Sequence, residues 1–329
     1  MADQGGDNLK NKSVWALGLL AVIGAIAIVV LANALKESKE EKQAIQGGDV
    51  GEVLDDVEVA YNPPSMDDLP DGPEGEAIQR GYDLMMDTSN LLREKAKATD
   101  GEEVMSQLAC TSCHAGAGLD EDVSSLVGVT VEYPKYRSRN DAIATIGDRI
   151  NGCMVRSMNY EKFEEGDEDL NAMIAYMAYI SKGIPPGADM PWLGKNEVDE
   201  VPIPNVDKGE GIFQQSCITC HAADGSGSGP TTGPALWGDG SFNDGAGMGR
   251  MSKMTGFVQK NMPQNAPGSL SLQEAADVTA FILSQERPEF PDSGSDWPDG
   301  GGPTDIMDKE KQQQVKDGTI DWEKVLGHK

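Results

Sequence analysis

Apolar residues recur at helical spacing in two separate parts of the chain, and no stretch alternates in the manner of a half-buried strand. Residues 170–180 and 274–283 each place apolar side chains three and four positions apart, so that they fall on one face of a helix. Each of these segments closes a unit in which an earlier helix, a loop and a middle segment come first. The pattern therefore predicts an all-α fold that contains one small helical domain twice.

A third apolar stretch, residues 13–35, has no charged side chain and consists mostly of Ala, Leu, Ile and Val. It is long enough to cross a bilayer core of roughly 30 Å as a helix, and longer than the roughly 7–15 apolar residues of a signal peptide. A cleaved leader is the alternative, because Ala32-Asn33-Ala34 resembles a cleavage site. The pattern favours a single uncleaved transmembrane anchor at 13–35.

Glycine, proline and acidic residues divide the rest of the chain. Residues 36–75 are acidic and contain Gly and Pro, as expected of a tether behind the anchor. The two helical domains are predicted at 76–190 and 205–289, joined by a Pro/Gly-rich linker at 191–204. Residues 290–329 are predicted to form an extended acidic tail that ends in a short helix.

The formal net charge is −28 over 329 residues. This charge excludes nucleic acid as a partner, because the phosphates would be repelled. A dense acidic surface suits a basic redox partner or a high-salt habitat, and the composition does not separate the two. Apolar residues make up only 38% of the chain, which favours small domains around a large prosthetic group over one extensive core.

Four of the five cysteines lie in two motifs of one form, Cys110-Thr-Ser-Cys113-His114 and Cys217-Ile-Thr-Cys220-His221. Neither a disulfide framework nor a zinc ribbon needs a histidine directly after each pair, so the motifs favour two covalently bound haem c groups. The cysteines bond the haem vinyl groups, and the histidine reaches the iron. Because this attachment takes place outside the cytoplasm, we expect residues 1–12 in the cytoplasm and the haem domains on the periplasmic or extracytoplasmic side of the membrane.

Each haem iron needs a second axial ligand, and His328 is the single histidine outside the two motifs. Met262, about 40 residues after His221, is favoured for the second haem, because a thioether is a common axial ligand of c-type cytochromes. Met254 and Lys260 are alternative ligands, and simple packing is an alternative role for Met262.

Cys153 is the one cysteine outside the haem motifs. Arg149, Cys153 and Ser157 follow one another at intervals of four, so on a helix they share one face, and Arg156 lies close to that face. Nearby basic groups favour the thiolate, which is both a metal ligand and a nucleophile. The segment just upstream adds Lys135, Arg137 and Arg139. The alternatives are a buried structural cysteine and arginines that bind haem propionates.

At these residues the chain resembles the two-haem thiosulfate dehydrogenases, over about residues 76–290. CxxCH motifs are common to many cytochromes, whereas the Arg-x-x-x-Cys-x-x-x-Ser helix is unusual. The stretches that carry the resemblance are Cys110-Thr-Ser-Cys113-His114, Leu126-Val-Gly-Val129, Tyr133-Pro-Lys-Tyr-Arg137, Arg149-Ile-Asn-Gly-Cys153, Arg156-Ser-Met-Asn159, Ile184-Pro-Pro-Gly187, Gly233-Pro-Ala-Leu-Trp-Gly238, Ser241-Phe-Asn243, Gly245-Ala-Gly-Met248 and Asn261-Met-Pro263.

The resemblance implies two class I cytochrome c-like domains and a role for each candidate residue. Cys153 would ligate the first haem opposite His114, and Met262 the second haem opposite His221. The residues around the substrate pocket would be Arg139, Arg149 and Ser157. Tyr160 departs from the family pattern, in which a glycine usually stands at this position, and this difference puts the shape of the pocket in doubt.

The resemblance also implies a reaction, the oxidation of two thiosulfate ions to tetrathionate or the reverse. Electrons would pass from the first haem to the second and on to an electron-accepting cytochrome or a terminal oxidase. A purely electron-transferring two-haem cytochrome of a respiratory chain is the alternative, because it also explains the haems and the acidic surface. A cytochrome that conjugates thiosulfate to a carrier protein is a third possibility.

Overall fold

The computed structural model describes residues 59–97, 106–196 and 198–328, and most of their regular structure is helical. The α-helices are α1 Pro73–Met86, α2 Thr88–Lys97, α3 Ile146–Arg156, α4 Glu168–Ile180, α5 Val206–Ser216, α6 Ile218–His221, α7 Met251–Asn261, α8 Leu272–Leu283, α9 Lys309–Lys316 and α10 Trp322–Leu326. Short 3₁₀ turns lie at Met66–Asp68, Cys110–Ser112, Ala115–Gly118, Val129–Glu132, Pro191–Gly194, Gly247–Gly249 and Ser293–Ser295.

The same helix crossing occurs in both halves of the described chain. In the first half α1 packs against α4, and a β-carbon on Gly81 would lie 2.1 Å from the Ala172 carbonyl oxygen. In the second half α5 packs against α8, and a β-carbon on Gly209 would lie 2.0 Å from the Asp277 carbonyl oxygen. Only glycine permits so close an approach of two helix backbones. In each half, the haem-attachment motif lies along the chain between the two helices that cross. This is the arrangement that the predicted duplication implies.

A two-stranded antiparallel sheet corrects the prediction of an all-α fold. β1 (Lys135–Arg137) pairs with β2 (Ala142–Ala144), with Tyr136 opposite Ile143. The turn between the strands includes Asp141, whose φ is +47°. Strands of three residues are too short to produce a recognisable alternation of apolar and polar positions, which is why the sequence pattern missed them.

The predicted transmembrane helix also needs correction. Within the three described ranges, no helix is long and apolar enough to cross a membrane. The predicted anchor at 13–35, the N-terminus at 1–12 and most of the tether at 36–75 lie outside the described residues. The fold class, predicted as two haem domains behind a transmembrane helix, is corrected to two mostly helical domains.

The C-terminal segment, residues 290–328, packs back on both domains, although the sequence predicts an extended tail. Met307 is fully buried, and its amide donates to the Gly249 carbonyl oxygen at 2.9 Å. The Asp305 carboxylate accepts hydrogen bonds from the amide of Ser252 at 2.8 Å and from its hydroxyl at 2.5 Å. Ser252 lies in the first turn of α7, so an acidic side chain from the segment caps this helix.

Hydrogen bonds between polar groups of the first domain and polar groups of the second join the two domains. The Asn243 amide group donates to the Val155 carbonyl oxygen at 2.8 Å, and the Asn243 backbone amide donates to the Arg156 carbonyl oxygen at 3.1 Å. The Ser112 hydroxyl, inside the first haem motif, donates to the Pro230 carbonyl oxygen at 2.7 Å. These bonds join the helix that carries Cys153 and the first haem motif to the second domain.

We expect Asp305→Ala to lower the free energy of unfolding of the holoprotein by about 1–2 kcal/mol, because α7 loses the acceptor that caps its first turn. Denaturant titration followed by circular dichroism measures the change. Asp299→Ala, at an exposed position of the same segment, is the control. Equal effects of the two substitutions would contradict the capping role.

Candidate active site and haem sites

Both motif histidines are held by a carbonyl oxygen on one side of the ring. Nδ1 of His114 lies 2.6 Å from the Ser124 carbonyl oxygen, and Nδ1 of His221 lies 2.8 Å from the Pro234 carbonyl oxygen. A hydrogen bond to a carbonyl requires the proton on Nδ1, which leaves Nε2 unprotonated and able to bind a metal. The structure therefore orients both imidazoles as ligands.

The surroundings of the two histidines favour the neutral imidazole. Burial lowers the pKa of His114 to about 4, and the positive charge of Arg149 lowers it further. Burial also lowers the pKa of His221. Because a metal binds the neutral form, neither ring needs to lose a proton to serve as a ligand near pH 7.

A cavity of about 1160 Å³ fits the haem of the second domain. Cys217, Cys220, His221 and Met262 all border it, together with apolar side chains such as Phe242. This set supplies two thiols, an imidazole and a thioether, which are the donors that a covalently bound haem with histidine and methionine ligands needs. Leu108 and Cys113 of the first domain border the same cavity, so the two haem motifs lie on one shared space.

The alternatives to Met262 as a ligand border this cavity too, but they are placed differently. Met262 directly follows α7, and its amide donates to the Val258 carbonyl oxygen. Met254 lies inside α7 and is buried in the core. The ammonium group of Lys260 donates to the Lys195 carbonyl oxygen. Ligation by Met262 stays a prediction, and its place beyond the helix end is compatible with it.

In the first domain, helix α3 presents Cys153. A reciprocal pair begins the helix: the Thr145 hydroxyl accepts from the Asp148 amide at 3.1 Å, and the Asp148 carboxylate accepts from the Thr145 amide at 2.8 Å. Such a capping box satisfies two backbone donors that the helix itself leaves unpaired. Ser157 follows the helix, and its amide donates to the Cys153 carbonyl oxygen. The predicted face with Arg149, Cys153 and Ser157 therefore lies along one helix and its C-cap.

Arg149 donates a hydrogen bond from Nη1 to Cys153 Sγ, with a distance of 2.8 Å between the atoms. The interaction with Cys153 is also the largest cause of the raised pKa of Arg149. Cys153 in turn lies close enough to Cys110 and Cys113 to raise the pKa of both thiols, although burial contributes more and brings each pKa to about 12. The structure thus gathers Cys153, Arg149 and the first haem motif in one place.

Beside this place two further arginines contact a single carboxylate, and a third, Arg250, lies near one of them. Arg139 forms an ion pair with Asp296, with 3.2 Å between Nε and Oδ2, and Arg156 donates from Nη2 to Asp296 Oδ1 at 2.5 Å. Burial lowers the pKa of Arg139 to about 10, and the charges of Arg156, Arg250 and Arg149 lower it in the same direction. Arg139 therefore remains positively charged at neutral pH in a site that gathers four guanidinium groups.

The other two basic residues upstream of α3 contact groups other than Asp296 and Cys153. Lys135 pairs with Glu132, and Arg137 donates at 3.2 Å to the hydroxyl of Tyr133, a residue that also interacts with Arg149. Tyr160, which stands where the family usually has glycine, packs against the hydrophobic core and donates its amide to the Met154 carbonyl oxygen.

The sequence patterns missed Arg250 and Asp296. Both lie about a hundred residues or more from Arg149, in the second domain and in the C-terminal segment. Spacing along one helix cannot indicate residues that only the tertiary fold brings together, and Asp296 lies in a segment predicted to be an extended tail.

Comparison of the chain with known proteins identifies its family. The family model described as SoxA/TsdA, cytochrome c domain, matches residues 98–185, and the model described as cytochrome c matches residues 206–286. A thiosulfate dehydrogenase of Psychrobacter arcticus is 33% identical over 91% of each chain. One of Allochromatium vinosum is 37% identical over 72% of this chain and 88% of its own. The chain belongs to the thiosulfate dehydrogenase family.

The resemblance found in the sequence, and with it an oxidoreductase of this type, is confirmed. Two cytochrome c domains imply haem c binding and electron transfer, whereas the number of haems and their covalent attachment stay predictions from the motifs. Among solved structures, the thiosulfate dehydrogenase TsdBA of Marichromatium purpuratum has a TM-score of 0.63 at 32% identity. The match covers 70% of this chain and spans half the length of that one.

We expect Arg149→Met to lower the reduction potential of the first haem, on the order of tens of millivolts, if Cys153 is its ligand. The thiolate then loses a hydrogen bond and a neighbouring positive charge, and both losses disfavour the reduced iron. Potentiometric titration of the holoprotein measures the shift. Arg137→Met, which removes a nearby charge without touching Cys153, is the control. Equal potentials in the two variants would contradict ligation by Cys153.

Proposed function

We propose that the protein interconverts two thiosulfate ions and one tetrathionate ion at the first domain and exchanges two electrons with an external acceptor through the second. The observation that carries the proposal is the 2.8 Å hydrogen bond from Arg149 to Cys153 Sγ inside a cluster of four arginines. A sulfur nucleophile that contacts one guanidinium group, with further arginines nearby, suits an anionic sulfur substrate better than it suits electron transfer alone.

The arginine cluster counters two repulsions. Two thiosulfate dianions must approach each other, and the chain around them has a formal net charge of −28. Guanidinium groups bind oxyanions through two parallel N–H donors, and their charge favours two anions in one site. Arg139, with its side chain 19% exposed, and Arg149 are the residues assigned to the sulfonate groups, together with the Ser157 hydroxyl.

In this proposal Cys153 takes part in the sulfur chemistry. Bond formation between Cys153 Sγ and the outer sulfur of one thiosulfate releases two electrons. Attack by the second thiosulfate on that same outer sulfur then forms tetrathionate and returns the Cys153 thiolate, without further electrons. The net change is two thiosulfate ions to one tetrathionate ion and two electrons, and the reverse sequence consumes two electrons.

The remaining residues hold the redox groups. Cys110, Cys113 and His114 would hold one haem with Cys153, and Cys217, Cys220 and His221 would hold the other with Met262. Haem iron supplies one-electron transfer, and a thiolate ligand lowers its potential whereas a thioether raises it. With these ligands, the difference would favour movement of electrons from the first domain to the second. The cavity that both motifs border is compatible with a short path between them.

The haem-attachment motifs also bear on where the two domains lie and on which protein accepts the electrons. Covalent haem attachment takes place outside the cytoplasm, so we propose that both domains lie on the extracytoplasmic side. The acceptor would be another cytochrome or a terminal oxidase, docking near the second domain.

The direct test uses purified holoprotein in both directions. Thiosulfate-dependent reduction of ferricyanide, with tetrathionate quantified, measures oxidation, and tetrathionate-dependent oxidation of a reduced dye measures the reverse. One tetrathionate formed for two electrons transferred supports the proposal. No turnover in either direction, with both haems intact and reducible, would replace it with an electron-transfer cytochrome.

We expect Cys153→Met to abolish turnover, by about a thousandfold or more, because the thioether cannot form the sulfur adduct although it can still bind iron. Haem content is measured by the absorbance of the reduced protein, and it should stay at the wild-type level. Met154→Leu, at the next position of the same helix, is the control and should retain activity. Turnover by the Cys153 variant would contradict the role of this sulfur.

A further inference from the structure

The C-terminal segment contributes a carboxylate to the arginine cluster of the first domain. Asp296 has only 6% of its side chain exposed, and its two oxygens are divided between two arginines. Oδ1 accepts from Arg156 at 2.5 Å, and Oδ2 lies 3.2 Å from Nε of Arg139. One acidic side chain therefore bridges an arginine of α3 and an arginine of the loop before it.

The same segment holds both arginines by further contacts. The Trp297 amide donates to the Arg139 carbonyl oxygen at 2.8 Å, and the Trp297 ring lies 4.4 Å from the Arg139 guanidinium carbon. The Phe290 ring lies at the same distance from the guanidinium carbon of Arg156. A ring face and a carboxylate on each guanidinium restrict both its position and its plane.

Asp296 leaves most of the positive charge of the cluster uncompensated. Arg149, Arg156 and Arg250 each lie close enough to Arg139 to lower its pKa, and each guanidinium has five N–H donors. One carboxylate cannot satisfy so many donors or balance four charges. Arg149 also donates to Cys153, and Arg156 also donates to the Gly152 carbonyl oxygen; the donors and charge that remain are what an incoming dianion would meet.

We propose that Asp296 is a positioning residue, which holds Arg139 and Arg156 in the geometry that binds the anionic substrate. This inference rests on the proposed function, because it takes thiosulfate as the anion. It makes residues 290–297 part of the active site of the first domain, although they follow the second domain in the chain. Asp296 itself does not contact the substrate and acts through the two arginines.

A competing role for Asp296 predicts the opposite effect on affinity. If the carboxylate only occupied the anion site as an internal counter-ion, its removal would free the arginines, make the local potential more positive and lower KM. If it positions the arginines, its removal lets them move out of place, and KM rises even though the local charge becomes more favourable. The sign of the change therefore separates the two roles.

The experiment compares wild-type holoprotein with Asp296→Asn and Asp296→Glu. We expect Asn, which keeps the size of the side chain, to raise KM for thiosulfate about tenfold, with kcat changed less than about threefold. We expect Glu, which keeps the carboxylate, to restore KM to within about threefold of wild type. Thiosulfate binding to the oxidised holoprotein, measured by calorimetry without an acceptor, should weaken by the same factor as KM rises.

Asp299→Asn is the matched control, because it makes the same change in net charge at an exposed position three residues away.

An unchanged or lowered KM for Asp296→Asn, with wild-type turnover normal, would overturn the inference alone. Should Asp296→Asn not fold with both haems bound, Asp296→Glu decides: a KM within about threefold of wild type supports the inference, and a larger change in either direction overturns it. Wild-type protein that binds thiosulfate without turnover would overturn the proposed function, and the binding constants would still test Asp296. Wild-type protein that neither binds nor turns over thiosulfate would overturn both.

Discussion

The candidate site depends on keeping several guanidinium groups close together in a partly buried place. Burial disfavours each charge, and the neighbouring arginines add repulsion, which is why the pKa of Arg139 falls to about 10. Such a cluster persists only where the surrounding structure holds it and where anions offset part of the charge. Asp296, Trp297 and Phe290 provide the support, and all of them come from the C-terminal segment. The site is consequently a product of the whole described chain and not of one domain.

The two domains share a helical scaffold and differ in the side chains that the scaffold places near the haem motif. Each crosses its first and last helices at a glycine, Gly81 or Gly209, and each fixes its motif histidine by a carbonyl oxygen. The first then offers a cysteine beside an arginine, whereas the second offers a methionine just beyond a helix end. The shared scaffold accounts for the likeness of the two haem motifs, and the different side chains that it carries are why we assign the proposed sulfur chemistry to the first domain.

How far the sequence predicted these features depended on whether the signal was local. The haem motifs, the face formed by Arg149 and Cys153, and the family resemblance all lie within short stretches, where residue type and spacing carry the chemistry. The strands around Tyr136 were too short to produce a pattern. The contacts of Asp296 had no local signal at all, because Arg156 lies 140 residues away, Arg139 lies farther still, and an acidic Gly/Pro-rich segment is typical of an extended tail.

Electrostatic interactions in the molecule act over two distances, and the difference bears on how an acidic protein could bind the dianion proposed as its substrate. At physiological ionic strength, charges more than about 8 Å apart in solvent are largely screened, so most of the net charge of −28 contributes little at the site. Groups that are buried and in contact are screened much less. A few arginines close to a bound anion would therefore outweigh a much larger number of remote carboxylates. Asp296 differs from those carboxylates, because it contacts Arg139 and Arg156 directly and is screened little. If the site binds an anion as proposed, Asp296 both offsets part of the repulsion between the arginines and fixes the geometry of two of them.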